Sequence, residues 1–163
     1  LHLRAGSSPE RTYQIHGNID FMRCEDEHPR VRPIPESIPF DWPKAHALGD
    51  VERAALRGCA RGAWARPHVL FFDESYDEAL FRFESTLRAM KEAAALVVVG
   101  TSGATTLPAH AVDLAVRRRI PLVVINQDQS PFTEAAGRSP AGHVLLGTAG
   151  QHLPPIASFL RGA

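Results

Sequence analysis

Cysteine is scarce: 2 of 163 residues, too few for a disulfide framework. The opening residues also lack the basic, apolar and small-residue order of a signal peptide, so a reducing, cytoplasmic setting is expected. Net charge is missing as well. With 18 Lys and Arg against 18 Asp and Glu, there is no electrostatic case for a nucleic-acid partner. The longest apolar run, Ala93 to Val99, falls far short of the roughly 20 residues that cross a bilayer, and no membrane partner is expected. No G-x-G-x-x-G occurs, which removes the usual dinucleotide fingerprint. What is present is ordinary globular composition, 44% hydrophobic and 22% charged, which excludes disorder as the main state. The chain starts at Leu1 rather than Met and reads as a piece of a longer protein.

Apolar residues Tyr76, Leu80, Phe83, Leu87, Met90 and Ala94 recur at spacings of four and three, which predicts one helix from about Tyr76 to Ala94. Leu96 to Val99 follows as a β-branched run ending at Gly100, the pattern of a strand buried on both faces of a parallel sheet. After the turn Gly100-Thr101-Ser102-Gly103, a helix is predicted over Leu107 to Arg118, its basic end favourable at a C-terminus. A strand over Leu122 to Ile125 stops at Asn126. Strand, glycine turn, helix, strand is a βαβ unit, and the class is α/β. A short strand over His143 to Leu146 and a helix over Gln151 to Leu160, with Pro154 and Pro155 in its first turn, close the chain. Between Asp20 and Arg66, Pro29, Pro33, Pro35, Pro39 and Pro43 break any period. That stretch predicts a small irregular lobe with one helix near Asp50 to Arg57.

Four features bear chemistry. Ligands of open α/β sheets sit beyond the carboxyl ends of strands, where the turn at Gly100 and the loop Asn126-Gln127-Asp128 fall. Their small residues, the Thr101 and Ser102 hydroxyls and the Asn126 amide suit sugar or phosphate oxygens; equally, any βα turn favours Gly and a Ser or Thr cap. His16, followed by Gly17, is left open on one side and suits proton transfer near neutral pH, although a lone His is also a common structural residue. Arg66 to Glu74 reads as an apolar strand flanked by charge, either core or a backbone edge for an extended peptide.

Taken in order, Leu1-His2-Leu3-Arg4-Ala5-Gly6, Tyr13-Gln14-Ile15-His16-Gly17-Asn18, Arg66-Pro67-His68-Val69-Leu70-Phe71-Phe72-Asp73-Glu74, Val99-Gly100-Thr101-Ser102-Gly103 and Ile125-Asn126 resemble the sirtuins, the NAD-dependent protein deacylases. The resemblance runs from Leu1 to about Leu160 and covers the C-terminal part of a sirtuin. It implies a partial Rossmann-like parallel sheet, missing its N-terminal βα unit, at 1–19 and 67–163, with the small lobe at 20–66. It further implies NAD as co-substrate, an acyl-lysine protein or peptide as partner, and His16 as general base toward a ribose hydroxyl. The acyl oxygen would attack the ribose carbon and expel nicotinamide, leaving free lysine and acyl-ADP-ribose. By the same resemblance, Gly100, Thr101, Ser102, Asn126, Gln127, Asp128 and Ala149 match cofactor contacts. Leu70 and Phe72 match the acyl-lysine tunnel, and Asp73 and Glu74 the peptide-pairing loop.

Departures from the family pattern are as informative. The sirtuin lobe usually holds zinc on two C-x-x-C pairs, whereas this chain offers Cys24 and Cys59, with Glu27 where the first pair would finish and only His28 or His46 in reserve. Zinc needs four ligands, and a metal-free lobe packed by Phe40, Trp42 and prolines is expected instead. Asp73 stands for the family's Gly, adding a Cβ where positive φ is a concern. The glycine-rich loop that cradles the pyrophosphate is not in this chain, so a strand face is expected to lie open and turnover by the chain alone is not expected. The alternatives are mono-ADP-ribosylation on the same scaffold, a non-catalytic binding remnant, and a generic nucleotide-binding half-domain.

Overall fold

The computed structural model describes residues 2–25, 30–38, 47–57 and 62–162. The chain forms two compact units, Leu1–Leu87 and Arg88–Ala163. No helix among the described residues is long and apolar enough to cross a membrane.

In the first unit, β1 (Gly17–Cys24) is the centre of an antiparallel sheet, flanked by β2 (Val31–Pro33) and β3 (Ala65–Val69) in the order β2-β1-β3. The proline-rich stretch is thus partly regular: Pro33 ends the outermost strand, where a missing N–H costs no ladder bond. Helix α1 (Asp50–Leu56) falls where the pattern placed it, with the Glu52 carboxylate accepting the Gly49 N–H at 2.6 Å. Pairing of β1 with β3 slips between Asn18 and Met22, next to Pro67, which cannot donate to a ladder.

The long helix expected from Tyr76 to Ala94 is two helices, α2 (Glu78–Phe81) and α3 (Phe83–Glu92), broken at Arg82 with φ 53°. The break is tertiary in origin. The Arg82 guanidinium donates to the carbonyls of Pro9 at 2.9 Å and Glu10 at 2.7 Å and lies 4.3 Å over the Tyr13 ring. Asp77 caps α2 by accepting the Leu80 N–H at 2.6 Å, so Tyr76 precedes the helix rather than opening it.

In the second unit, β4 (Leu96–Val99), β5 (Leu122–Asn126) and β6 (Gly142–Leu146) form a parallel sheet in the order β4-β5-β6, and α4 (Thr106–Arg118) is the crossover between the first two. This is the Rossmann-like α/β arrangement. Val98, Leu122 and Val124 pack with Val112 of α4 and Phe132 and Ala136 of α5 (Pro131–Arg138). Burying an aliphatic side chain of this kind contributes about 1.5–3 kcal/mol. Helix α5 was not anticipated from the pattern, although Ser130-Pro131 is a helix-start signal; Ser130 Oγ accepts the Thr133 N–H and Thr133 Oγ1 accepts the Ser130 N–H.

Strand β4 is not buried on both faces. Val98 points inward at 9% exposure, while Val97 and Val99 are 47% and 38% exposed, because β4 is the edge of the sheet and only one of its faces is covered. The last helix, α6 (Ala149–Gly162), begins earlier than expected and carries Pro154 and Pro155 inside it rather than in its first turn. Gln151 Oε1 accepts the Thr148 N–H at 2.8 Å, which fixes the early start.

Candidate functional site

His16 is held by its backbone. The Gly17 N–H donates to the Gln14 carbonyl at 2.8 Å, closing a tight turn, and the His16 carbonyl accepts the Leu70 N–H at 3.1 Å, extending the β1–β3 pairing by one step. Gly17 has φ 82°, and a Cβ there would sit 2.0 Å from the His68 carbonyl oxygen. Only glycine satisfies both the left-handed backbone and that approach. The imidazole itself is exposed, and its Nε2 lies 2.9 Å from the Tyr76 hydroxyl. Tyr76 stacks on Phe83 with ring centroids 4.6 Å apart.

Beyond β3 the chain turns at Leu70 to Glu74, so the strand expected over Arg66 to Glu74 ends at Val69. Glu74 closes the turn, its Oε2 accepting the Phe71 N–H at 2.8 Å. The same carboxylate receives Arg23 at 2.6 Å and Arg66 at 2.7 Å. These two arginines face each other across β1 and β3, a like-charge pairing that is unfavourable without an anion between them. Burial pushes the Glu74 carboxyl up, but the Phe71 N–H and the Arg23 and Arg66 guanidinium groups outweigh it and hold it down at about 2. Glu74 therefore spends its carboxylate inside the protein. Leu70 is half-buried, Asp73 is exposed, and Phe72 is fully exposed. Among the described residues only Arg82 and Arg119 depart from glycine at positive φ, so Asp73 carries none of the left-handed strain that its replacement of Gly suggested.

Next to this turn, His68 is buried and stacks on Phe81 at 5.3 Å, nearly parallel. Burial, and next the Arg23 charge, push its imidazole below the usual histidine range.

The second unit gathers the loops at the carboxyl ends of its three strands. The Gly100 N–H donates to the Ile125 carbonyl at 2.9 Å, and the Asn126 side-chain amide donates to the Thr101 carbonyl at 3.1 Å. The Gly147 N–H donates to the Asn126 carbonyl at 2.9 Å. Asn126 thus ties the loop after β4 to the loop after β6, and Gly100, Thr101, Ser102, Asn126, Gln127, Asp128 and Ala149 all fall at one end of the sheet. Gly100 has φ 61° with open space where a Cβ would stand, so a ligand can approach its backbone closely. Ser102, Gln127 and Asp128 are exposed, and Thr101 and Ala149 are half-buried. This set suits the sugar and base of a nucleotide; nothing in it repeats a glycine-rich pyrophosphate cradle.

Cys24 is buried at the end of β1. Cys59, Glu27, His28, His46, Phe40 and Trp42 lie outside the described residues, and no group of three or more His, Cys, Asp or Glu among the described residues is placed to hold a metal.

The profile of the Sir2 family matches residues 1–106. The chain belongs to the Sir2 family. It is 29% identical over 164 residues to an NAD-dependent protein deacylase of Leptospira interrogans serogroup Icterohaemorrhagiae serovar copenhageni, a match covering 96% of this chain and 55% of that protein. It is 30% identical over 141 residues to the NAD-dependent protein deacylase of Aquifex aeolicus, covering 83% and 50%. Among solved structures, a Sir2 homolog–NAD complex shares the fold with a TM-score of 0.74 at 24% identity, over 99% of this chain and 55% of the other. A Sir2–p53 peptide–NAD+ complex does so with a TM-score of 0.70 at 19% identity, over 100% and 60%. This Sir2-family chain spans about half the length of the curated relatives it matches.

Sequence reasoning singles out His16 and the two loops after β4 and β5, with Ala149 added by resemblance; it gives no role to Arg23, reads Arg66 only as charge flanking a strand, and places Tyr76 on a helix face. Tyr76 lay 60 residues from His16 in an apparent helical period, and no local signal joins the two.

Proposed function

We propose that this chain carries the histidine-bearing part of an NAD-dependent protein-lysine deacylase. The observation that supports it most is His16, an exposed imidazole on a backbone tied to β3 through the Leu70 N–H and to the tight turn at Gly17. NAD, when bound, supplies an electrophilic ribose carbon and a nicotinamide leaving group. Gly100, Thr101, Ser102, Asn126, Gln127 and Asp128 would hold its adenosine side, and Ala149 would contact the adenine. Gly100 offers unobstructed backbone, and the hydroxyl and amide side chains offer donors and acceptors for sugar oxygens. His16 takes the proton of a ribose hydroxyl as general base, a role whose loss typically costs 10²–10⁴-fold in rate, as an order of magnitude.

Leu70 and Phe72 form the apolar path for the acyl-lysine, and the backbone of Asp73 and Glu74 pairs with the substrate peptide. The Glu74 carboxylate serves that edge indirectly, by anchoring the turn to Arg23 and Arg66. Two cysteines in 163 residues accord with a reducing, cytoplasmic setting.

The test is mass spectrometry of an acetyl-lysine peptide incubated with NAD and the polypeptide translated from the complete reading frame that contains this chain. Loss of the acetyl group with appearance of acetyl-ADP-ribose is expected. Arrival of ADP-ribose on the target would replace this reading with mono-ADP-ribosylation, and an unchanged peptide would leave a non-catalytic binding remnant.

A further inference from the structure

The Tyr76 hydroxyl sits 2.9 Å from His16 Nε2, and this is the only hydrogen bond the ring makes among the described residues. Tyr76 is not a loose surface residue. The turn before it is pinned by Glu74 to Arg23, Arg66 and the Phe71 N–H. The residue after it, Asp77, caps α2 through the Leu80 N–H. Its own ring rests on Phe83, with planes 16° apart. Anchored at both sides and along its face, the phenol oxygen has little choice of position, and it faces one particular nitrogen of the imidazole.

A neutral imidazole carries one N–H and one lone pair, and the partner of one nitrogen decides which nitrogen is which. Were the phenol to donate to Nε2, the proton would reside on Nδ1 and the ring would have no free lone pair. Were it to accept from Nε2–H, Nδ1 would be left basic and open. We propose that Tyr76 is the positioning residue of His16, accepting the Nε2–H and so holding the neutral ring in the tautomer whose Nδ1 lone pair is free. This rests on the reading of His16 as a general base. As general base, His16 would take the proton of the ribose hydroxyl on Nδ1, and the resulting imidazolium would keep its Nε2–H on the Tyr76 oxygen, so the ring need not turn between its two states.

The experiment is a long-range proton–nitrogen correlation spectrum of the chain labelled with ¹⁵N-histidine, taken where the imidazoles are neutral. His16 is assigned by the signals lost in His16→Ala. The expected result is a single His16 tautomer protonated at Nε2. In Tyr76→Phe, which keeps the ring on Phe83, both nitrogen shifts move toward the averaged value while those of the buried His68 stay in place. A wild-type His16 that is protonated at Nδ1, or already averaged, overturns the proposal whatever the variant does. So does a Tyr76→Phe spectrum identical to wild type at His16.

In the complete polypeptide, Tyr76→Phe is expected to lower kcat about threefold to tenfold, the worth of one neutral hydrogen bond, with KM for the peptide unchanged. A locked tautomer in a protein that does not deacylate refutes the functional reading and leaves the pair standing. An averaged tautomer in a protein whose deacylation needs His16 does the reverse.

Discussion

Gly17 lies directly against the carbonyl of His68: a Cβ at Gly17 would come within 2.0 Å of that oxygen, on a backbone already at φ 82°. The residue that follows the proposed base is therefore chosen by sterics. Any side chain there must push β3 away from β1 and with it the His16 carbonyl from the Leu70 N–H. Gly17→Ala is expected to cost about 3 kcal/mol or more, adding left-handed strain of roughly 1–3 kcal/mol to the displaced strand. Urea unfolding monitored by circular dichroism measures it.

Glu74 stands between Arg23 and Arg66, with Arg23 only 6% exposed. Glu74→Gln leaves a buried guanidinium without its counter-ion. A loss of about 2–3 kcal/mol is expected at neutral pH, below the range for fully buried pairs because Glu74 keeps some solvent contact. The same substitution changes the acid response. The folded carboxyl titrates at about 2 against 4.5 for the ordinary group, so its contribution is complete above about 4.5 and disappears as pH falls toward 2. Chemical denaturation across that window should show a decline in wild type that is much reduced in Glu74→Gln.

His68 acts in a different window. Its folded pKa lies below the ordinary 6.5, so on acidification the unfolded chain takes up a proton before the folded one does. Stability is full above about 6.5 and falls as pH drops below it. His68→Phe, which retains a ring against Phe81, is expected to flatten the stability profile below about pH 6.5. A wild-type profile already flat there contradicts the buried, neutral imidazole.

Asn126 joins the loops that follow β4 and β6. Asn126→Ala removes its bond to the Thr101 carbonyl, with an expected stability loss of about 1 kcal/mol. If these loops hold the adenosine side of NAD, affinity for ADP-ribose measured by titration calorimetry should fall about tenfold or more, since a bond to the ligand is lost along with the one that shapes the loop. Unchanged affinity would remove Asn126 from the cofactor site.

What was legible in the sequence follows the range of the forces involved. β4, α4, β5 and β6 were visible because a buried β-branched run or a helical period is a local pattern, and their bounds agree within a residue or so. Helix α5 is also locally written, in Ser130-Pro131, although it has no long period to mark it. The break at Arg82 was invisible, since it depends on carbonyls of Pro9 and Glu10 about 70 residues earlier. The exposure of Val97 and Val99 escaped periodicity for a similar reason: a strand's composition does not say whether it sits at an edge. Within the candidate site, His16 and the loops after β4 and β5 stand out by their motifs. The Arg23–Glu74–Arg66 cluster and the Tyr76 partner are products of the β1–β3 register and of one turn, which no spacing along the chain reveals.

The most direct measurement of the central claim is NAD-dependent deacylation of an acetyl-lysine peptide by the complete polypeptide and by its His16→Ala variant, followed by mass spectrometry. The account predicts acetyl-ADP-ribose formation that falls by 10²–10⁴-fold in the variant, as an order of magnitude, while ADP-ribose still binds. Deacylation that proceeds at the same rate without the imidazole would contradict it.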